Sequence, residues 1–104
     1  MNPRSVRNKT TFLNDYLQTH NYDLVALCET WLSESDNACV CKLLPDGYVI
    51  HRMDRSNGQH GGGIALIYRN SLKIQFNEQA AFTEFEYLTA TLNIHNKSLH
   101  ICVI

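Results

Sequence analysis

The chain has 104 residues, enough for one small domain, and its 44% hydrophobic and 18% charged content is that of a folding chain, not a disordered one. A formal net charge of −1 excludes the strongly basic surface of a protein that binds nucleic acid by bulk charge. No apolar run approaches the ~20 residues a membrane helix needs, and the opening MNPRSVRNKTT lacks the apolar core of a signal peptide, so a nuclear or cytoplasmic location is expected.

Residues 1–9 show no periodicity and carry three basic side chains, Arg4, Arg7 and Lys9, all ahead of the first acid, Asp15. They read as a loop, either able to meet phosphate locally or ordinary solvated surface. In residues 10–19, Leu13, Tyr16 and Leu17 recur at three- and four-residue spacing with Phe12 beside them. That spacing predicts a short amphipathic helix facing a sheet. Asn21 suits its end, because Asn tolerates the left-handed conformation found there.

Residues 24–28, LVALC, hold no charged side chain and are too short for a buried helix. They predict a strand covered on both faces. Glu29 follows where the apolar run stops. A charge inside such a strand is costly, so Glu29 belongs at its C-terminal edge, where open α/β sheets place ligands. Two readings of it stand: the first residue of a solvated turn, or a ligand for a hard divalent cation. Trp31 and Leu32 are expected to fold back over the sheet edge.

Residues 33–37 form a polar turn, and 39–44 read as a helical turn or irregular chain. Pro45, Asp46 and Gly47 make a turn signature. Residues 48–53 resume as a strand and 54–63 (DRSNGQHGGG) form a loop; where the two join, Arg52, Asp54 and Arg55 make an exposed salt-bridged turn. His60 and the three glycines after it lack the Lys-Ser/Thr of a phosphate loop and lead into a strand, so they serve as a pliable lead-in. Residues 64–68 predict a central strand. Leu72, Ile74 and Phe76 alternate with polar residues, predicting a half-buried strand in a hairpin with it. Residues 87–94 alternate likewise, and 99–104 form a last strand.

Of four cysteines, Cys28 and Cys102 lie in apolar runs and read as core residues. Cys39 and Cys41 are spaced too tightly for a zinc knuckle, and no disulfide framework is apparent. One helix and six strands predict a layered α/β protein. Both ends read as cut, so residues 1–104 are expected to be a fragment of a larger domain, truncated at both ends.

Three segments in order carry a family resemblance: NPRSVRNK (Asn2 to Lys9), DLVALCETWL (Asp23 to Leu32) and RMDRSNGQHGGGIAL (Arg52 to Leu66). Together they resemble the N-terminal part of the endonuclease domain of non-LTR retrotransposons. That domain belongs to the endonuclease/exonuclease/phosphatase superfamily, with DNase I. The resemblance implies part of a four-layered α/β-sandwich, here one sheet plus one helix. It also implies DNA as partner in the parent domain and Mg²⁺ or Mn²⁺ as cofactor, weakly held by this chain. Glu29 matches the family's metal ligand and Asn2 its metal- and phosphate-holding amide; both count as catalytic. Arg4, Arg7 and Lys9 would then contact the DNA backbone.

The departures are as informative. The family's Tyr, its Asp-x-Asn pair and its C-terminal Ser-Asp-His have no match here, and His20, His51, His95 and His100 read as surface or strand-face residues. These residues alone are not expected to make a competent nuclease. A non-catalytic retrotransposon remnant or binding protein, and a phosphoesterase of the same superfamily, are the alternatives. Self-association through uncovered sheet surface is also expected.

Overall fold

The computed structural model describes residues 1–54, 62–77 and 87–104. Arg55, His60 and Gly61, and with them part of the predicted loop, lie outside the described residues.

Helix α1 (Thr10–His20) buries Leu13 and Leu17 on one face and leaves Phe12 exposed, stacked on Tyr16. It stops where expected: Asn21 adopts φ 54°, and its N–H donates to Leu17 O at 3.0 Å. Strand β1 (Leu24–Cys28) leads to Glu29. A single 3-10 turn (Glu34–Asp36) then opens into helix α2 (Asn37–Leu43), resolving the ambiguous stretch as a second helix. Strands β2 (Tyr48–Met53), β3 (Ile64–Arg69), β4 (Ile74–Phe76), β5 (Leu88–Ile94) and β6 (Lys97–Val103) follow.

The strands form two antiparallel three-stranded sheets, β1-β3-β2 and β4-β5-β6. Sequence alone suggested one sheet and one helix; the described residues form two sheets and two α-helices. It is mixed α/β, a partial DNase I-like sandwich. The predicted hairpin between β3 and β4 does not form. Strand β3 is already paired on both edges, by β1 and β2, so β4 crosses to the other sheet and pairs with β5.

The burial pattern explains why β1 and β3 are apolar throughout. Val25 and Leu27, with Ala65 and Ile67, face a core built from Leu13 and Leu17 of α1, Leu43 of α2, Val6, Leu32 and Tyr48. The alternate residues Leu24, Ala26 and Cys28, with Ile64, Leu66 and Tyr68, face a second core against Leu88, Ala90, Ile101 and Val103. Helices, first sheet and second sheet are therefore three layers, and the middle one must be apolar on both sides. The second sheet has one polar face, and alternation along β6 places Cys102 on it, exposed, not in the core. Cys28 is half-buried as part of the second core.

Residues 1–6 are irregular but not loose. Met1 N donates to Ala26 O at 2.9 Å, and Met1 O accepts from Cys28 N at 2.8 Å. Each neighbour is offset by one from Leu27, the pattern of a parallel pairing. The opening segment thus runs along the outer edge of β1.

Candidate active site

Glu29 is where the two cores, the opening loop and the lead-in to β3 meet. Its backbone carbonyl accepts from Ser5 N at 2.7 Å, and the carbonyl of Thr30 accepts from Val6 N at 3.0 Å. On the other side, Thr30 N donates to Gly63 O at 3.2 Å and Trp31 N to Gly62 O at 2.9 Å. The segment 29–31 is therefore clamped between two chain stretches through backbone bonds. The geometry demands unusual torsions: Arg4, Ser5, Glu29 and Trp31 have φ of 49°, 85°, 56° and 56°, and Gly62 and Gly63 have 75° and 86°. Left-handed torsions at non-glycine residues each cost on the order of 1–3 kcal/mol and persist only where surrounding bonds impose them.

The Glu29 carboxylate is half-buried and oriented. Its Oε2 accepts from the Trp31 indole Nε1 at 2.9 Å and from the Gly62 backbone N at 3.0 Å. Trp31 was expected to cover the sheet edge. The residue is instead 40% exposed, and Leu32, at 4%, is buried in the helix-side core. Between Glu29 and Trp31, Thr30 points inward with no exposure, and among the described residues its Oγ1 has no hydrogen-bond partner. Gly63 is packed against it: a Cβ there would lie 2.4 Å from Thr30 Oγ1. The glycine pair is thus more than a pliable lead-in. One N–H orients Glu29, and the missing Cβ makes room for Thr30. A run of glycines before an apolar strand was the available signal.

Asn2 sits in the same junction. It is exposed, one residue beyond the Met1 carbonyl that bonds Cys28 and three before the Ser5 N–H that bonds Glu29 O. Its Oδ1 accepts from Arg4 N at 3.3 Å, closing a small turn. Sequence reasoning placed Asn2 and Glu29 together, and the backbone bonds put their segments side by side.

The three basic residues of the loop diverge. Arg4 is exposed and, among the described residues, pairs with no carboxylate. The Arg7 guanidinium donates to Asp36 Oδ2 at 2.9 Å, tying the loop to the start of α2. Burial pushes the Asp36 carboxyl up, but hydrogen bonds from the Ser33 N–H and hydroxyl, and the Arg7 guanidinium, outweigh it and hold the group below its ordinary value. Lys9 turns its ammonium inward to the carbonyls of Pro3 and Arg4. Arg7 and Lys9 therefore shape the loop.

Arg52 and Asp54 form the expected ion pair, at 3.4 Å, but not an exposed one: each side chain is only 17% accessible. Arg52 reaches Asn37 Oδ1 at 3.0 Å and so straps β2 to the start of α2. Burial raises the Asp54 carboxyl above its ordinary value, against the pull of Arg52. Three described histidines are engaged elsewhere, and His95 is exposed in the turn between β5 and β6. His51 stacks on Phe76 with centroids 3.7 Å apart, His20 joins the aromatic ladder of α1, and His100 meets Thr91.

The sequence model of the endonuclease/exonuclease/phosphatase family matches residues 1–96. The chain belongs to that family. The match spans the opening loop, the strand ending at Glu29 and the glycine lead-in to β3, the three stretches that meet at the clamp. Comparison with curated proteins finds no match. As a member of a family of phosphoester-cleaving proteins, the chain is a nuclease- or phosphatase-type hydrolase domain in whole or part. Two surface hollows, lined by Thr11, Phe12, Asn14, Asp15 and Lys42 and by a set around Asp46 and Arg69, involve neither Asn2 nor Glu29.

Proposed function

We propose that this chain supplies the cation-holding portion of a metal-dependent DNA endonuclease of the kind that non-LTR retrotransposons use to nick target DNA. One observation supports the reading above others: the Glu29 carboxylate is fixed by two N–H donors at the end of β1, where the loop bearing Asn2 runs beside it. The donor set fits a hard cation. Mg²⁺ takes one or two carboxylates and keeps most of its waters, and since no group of three or more His, Cys, Asp or Glu that could hold a metal ion occurs among the described residues, the holding proposed for Glu29 is weak.

In this reading Glu29 holds the cation, and the neutral amide of Asn2 hydrogen-bonds a phosphate oxygen without repelling it. Arg4, exposed on the same loop, meets the DNA backbone. When bound, Mg²⁺ or Mn²⁺ would offset charge developing on a phosphate oxygen and steady the leaving oxygen. No residue of this sequence matches the family's general base, a term worth about 10²–10⁴ in rate. The 104 residues are therefore proposed to bind cation weakly and to leave DNA intact on their own.

The test is a Mn²⁺ titration of the native chain and of Glu29→Gln, followed by free-ion electron paramagnetic resonance. Weak binding lost in Glu29→Gln is expected. Binding of equal strength in both would refute the assignment and leave a binding-protein reading in its place.

A further inference from the structure

The geometry points to Trp31 as a positioning residue for Glu29, acting through its indole N–H. This inference rests on the cation-holding role proposed for Glu29 and names what sets the angle of that carboxylate. Core packing does not account for Trp31, because the residue is 40% exposed while Thr30 and Leu32 on either side are enclosed. Local preference does not account for it either, because a bulky aromatic is a poor choice at φ 56°. What the residue gains in that conformation is the bond from Nε1 to Glu29 Oε2 at 2.9 Å, while its own N–H is anchored on Gly62 O. The Gly62 N–H meets the same Oε2 at 3.0 Å, so the two donors fix the carboxylate from separate chain segments.

The choice of side chain is chemically specific. The indole nitrogen is a donor only and carries no charge. It can orient a carboxylate without sharing its proton, cancelling its charge or repelling a cation, as Lys or Arg would. Partners one step removed from a metal typically account for about 10–100-fold in affinity, so loss of the indole N–H is expected to weaken cation binding about tenfold.

The test measures Mn²⁺ affinity of the full chain by electron paramagnetic resonance for native protein, Trp31→Phe and Glu29→Gln, with urea midpoints alongside. Trp31→Phe keeps an aromatic ring and removes the donor. About tenfold weaker binding at an unchanged urea midpoint supports the inference, because a purely packing role would be rescued by Phe. Native affinity in Trp31→Phe with binding lost in Glu29→Gln overturns the inference and leaves the cation-holding role standing. Native affinity in Glu29→Gln brings down both. Should Trp31→Phe fail to fold, the chain's single tryptophan allows its replacement throughout by benzothienylalanine, in which sulfur stands for the N–H. Loss of affinity in that protein supports the inference, and retention overturns it.

Discussion

Adding one methyl group at Gly63 tests whether the clamp around Glu29 is as tightly built as described. A Cβ at that position lies 2.4 Å from Thr30 Oγ1, closer than real atoms approach, and the backbone there has φ +86°. The left-handed torsion costs about 1–2 kcal/mol for an L-residue, and forcing an extra methyl into a packed site costs about 1–3 kcal/mol. Gly63→Ala should therefore lose about 2–5 kcal/mol, read as a fall in urea midpoint. The two terms separate in a double-mutant cycle. Thr30→Ala removes the clashing oxygen, leaving the former Thr30 Cβ position 3.7 Å from the new methyl, an ordinary contact. In that background Gly63→Ala should cost only the torsional part, so the two substitutions couple by about 1–3 kcal/mol. An identical cost of Gly63→Ala in both backgrounds would mean that Thr30 and Gly63 do not touch, and the clamp as drawn would be wrong.

Three further outcomes are expected. Leu17→Ala should lose about 2–5 kcal/mol in urea unfolding, since Leu17 is 2% exposed. Phe12→Ala, at a residue 62% exposed, should change stability by no more than about 1 kcal/mol. Equal losses would refute the assigned helix face. Burial lowers the His51 pKa, so below about 6.5 the unfolded chain takes up the proton first, and stability falls as pH drops from there through the folded value. Well above 6.5 both states are neutral and this contribution is constant. His51→Phe should retain the stack on Phe76 and flatten that part of the acid slope; an unaltered slope of urea midpoint against pH would rule His51 out. Finally, a thiol reagent should modify Cys41 and Cys102 first, because both are exposed, and Cys39 late, because burial raises its thiol pKa. Mass mapping that finds Cys102 protected would contradict the outward face assigned to it.

What the sequence made legible was what local pattern decides. Strands β1 and β3 announced themselves because a layer covered on both sides leaves no position for a polar side chain. Glu29 stood out because it ends such a run, and Asn21 because few residues other than Gly take up a left-handed cap easily. What escaped depended on partners distant in the chain. Helix α2 is seven residues long and owes its existence to packing against α1, since so short a helix is not stable alone. The β3–β4 hairpin looked sound locally and failed because β3 had two better neighbours already. Trp31 read as a lid because aromatic bulk is visible in a sequence and a positive φ at a non-glycine residue is not.

Strand β3 lends odd-numbered side chains, Ala65 and Ile67, to one interior and even-numbered ones, Ile64 and Leu66, to the other. Sliding it by one position would hand each interior the other's volumes, a small alanine arriving where a leucine is needed and the reverse opposite. A surface strand could absorb such a slip by turning some greasy groups to water, but a partition wall has no outside. Alignment of this strand is therefore the least forgiving setting in the molecule, and the glycine pair just ahead of it, locked to Thr30 and Trp31, is placed where it can hold that alignment fixed.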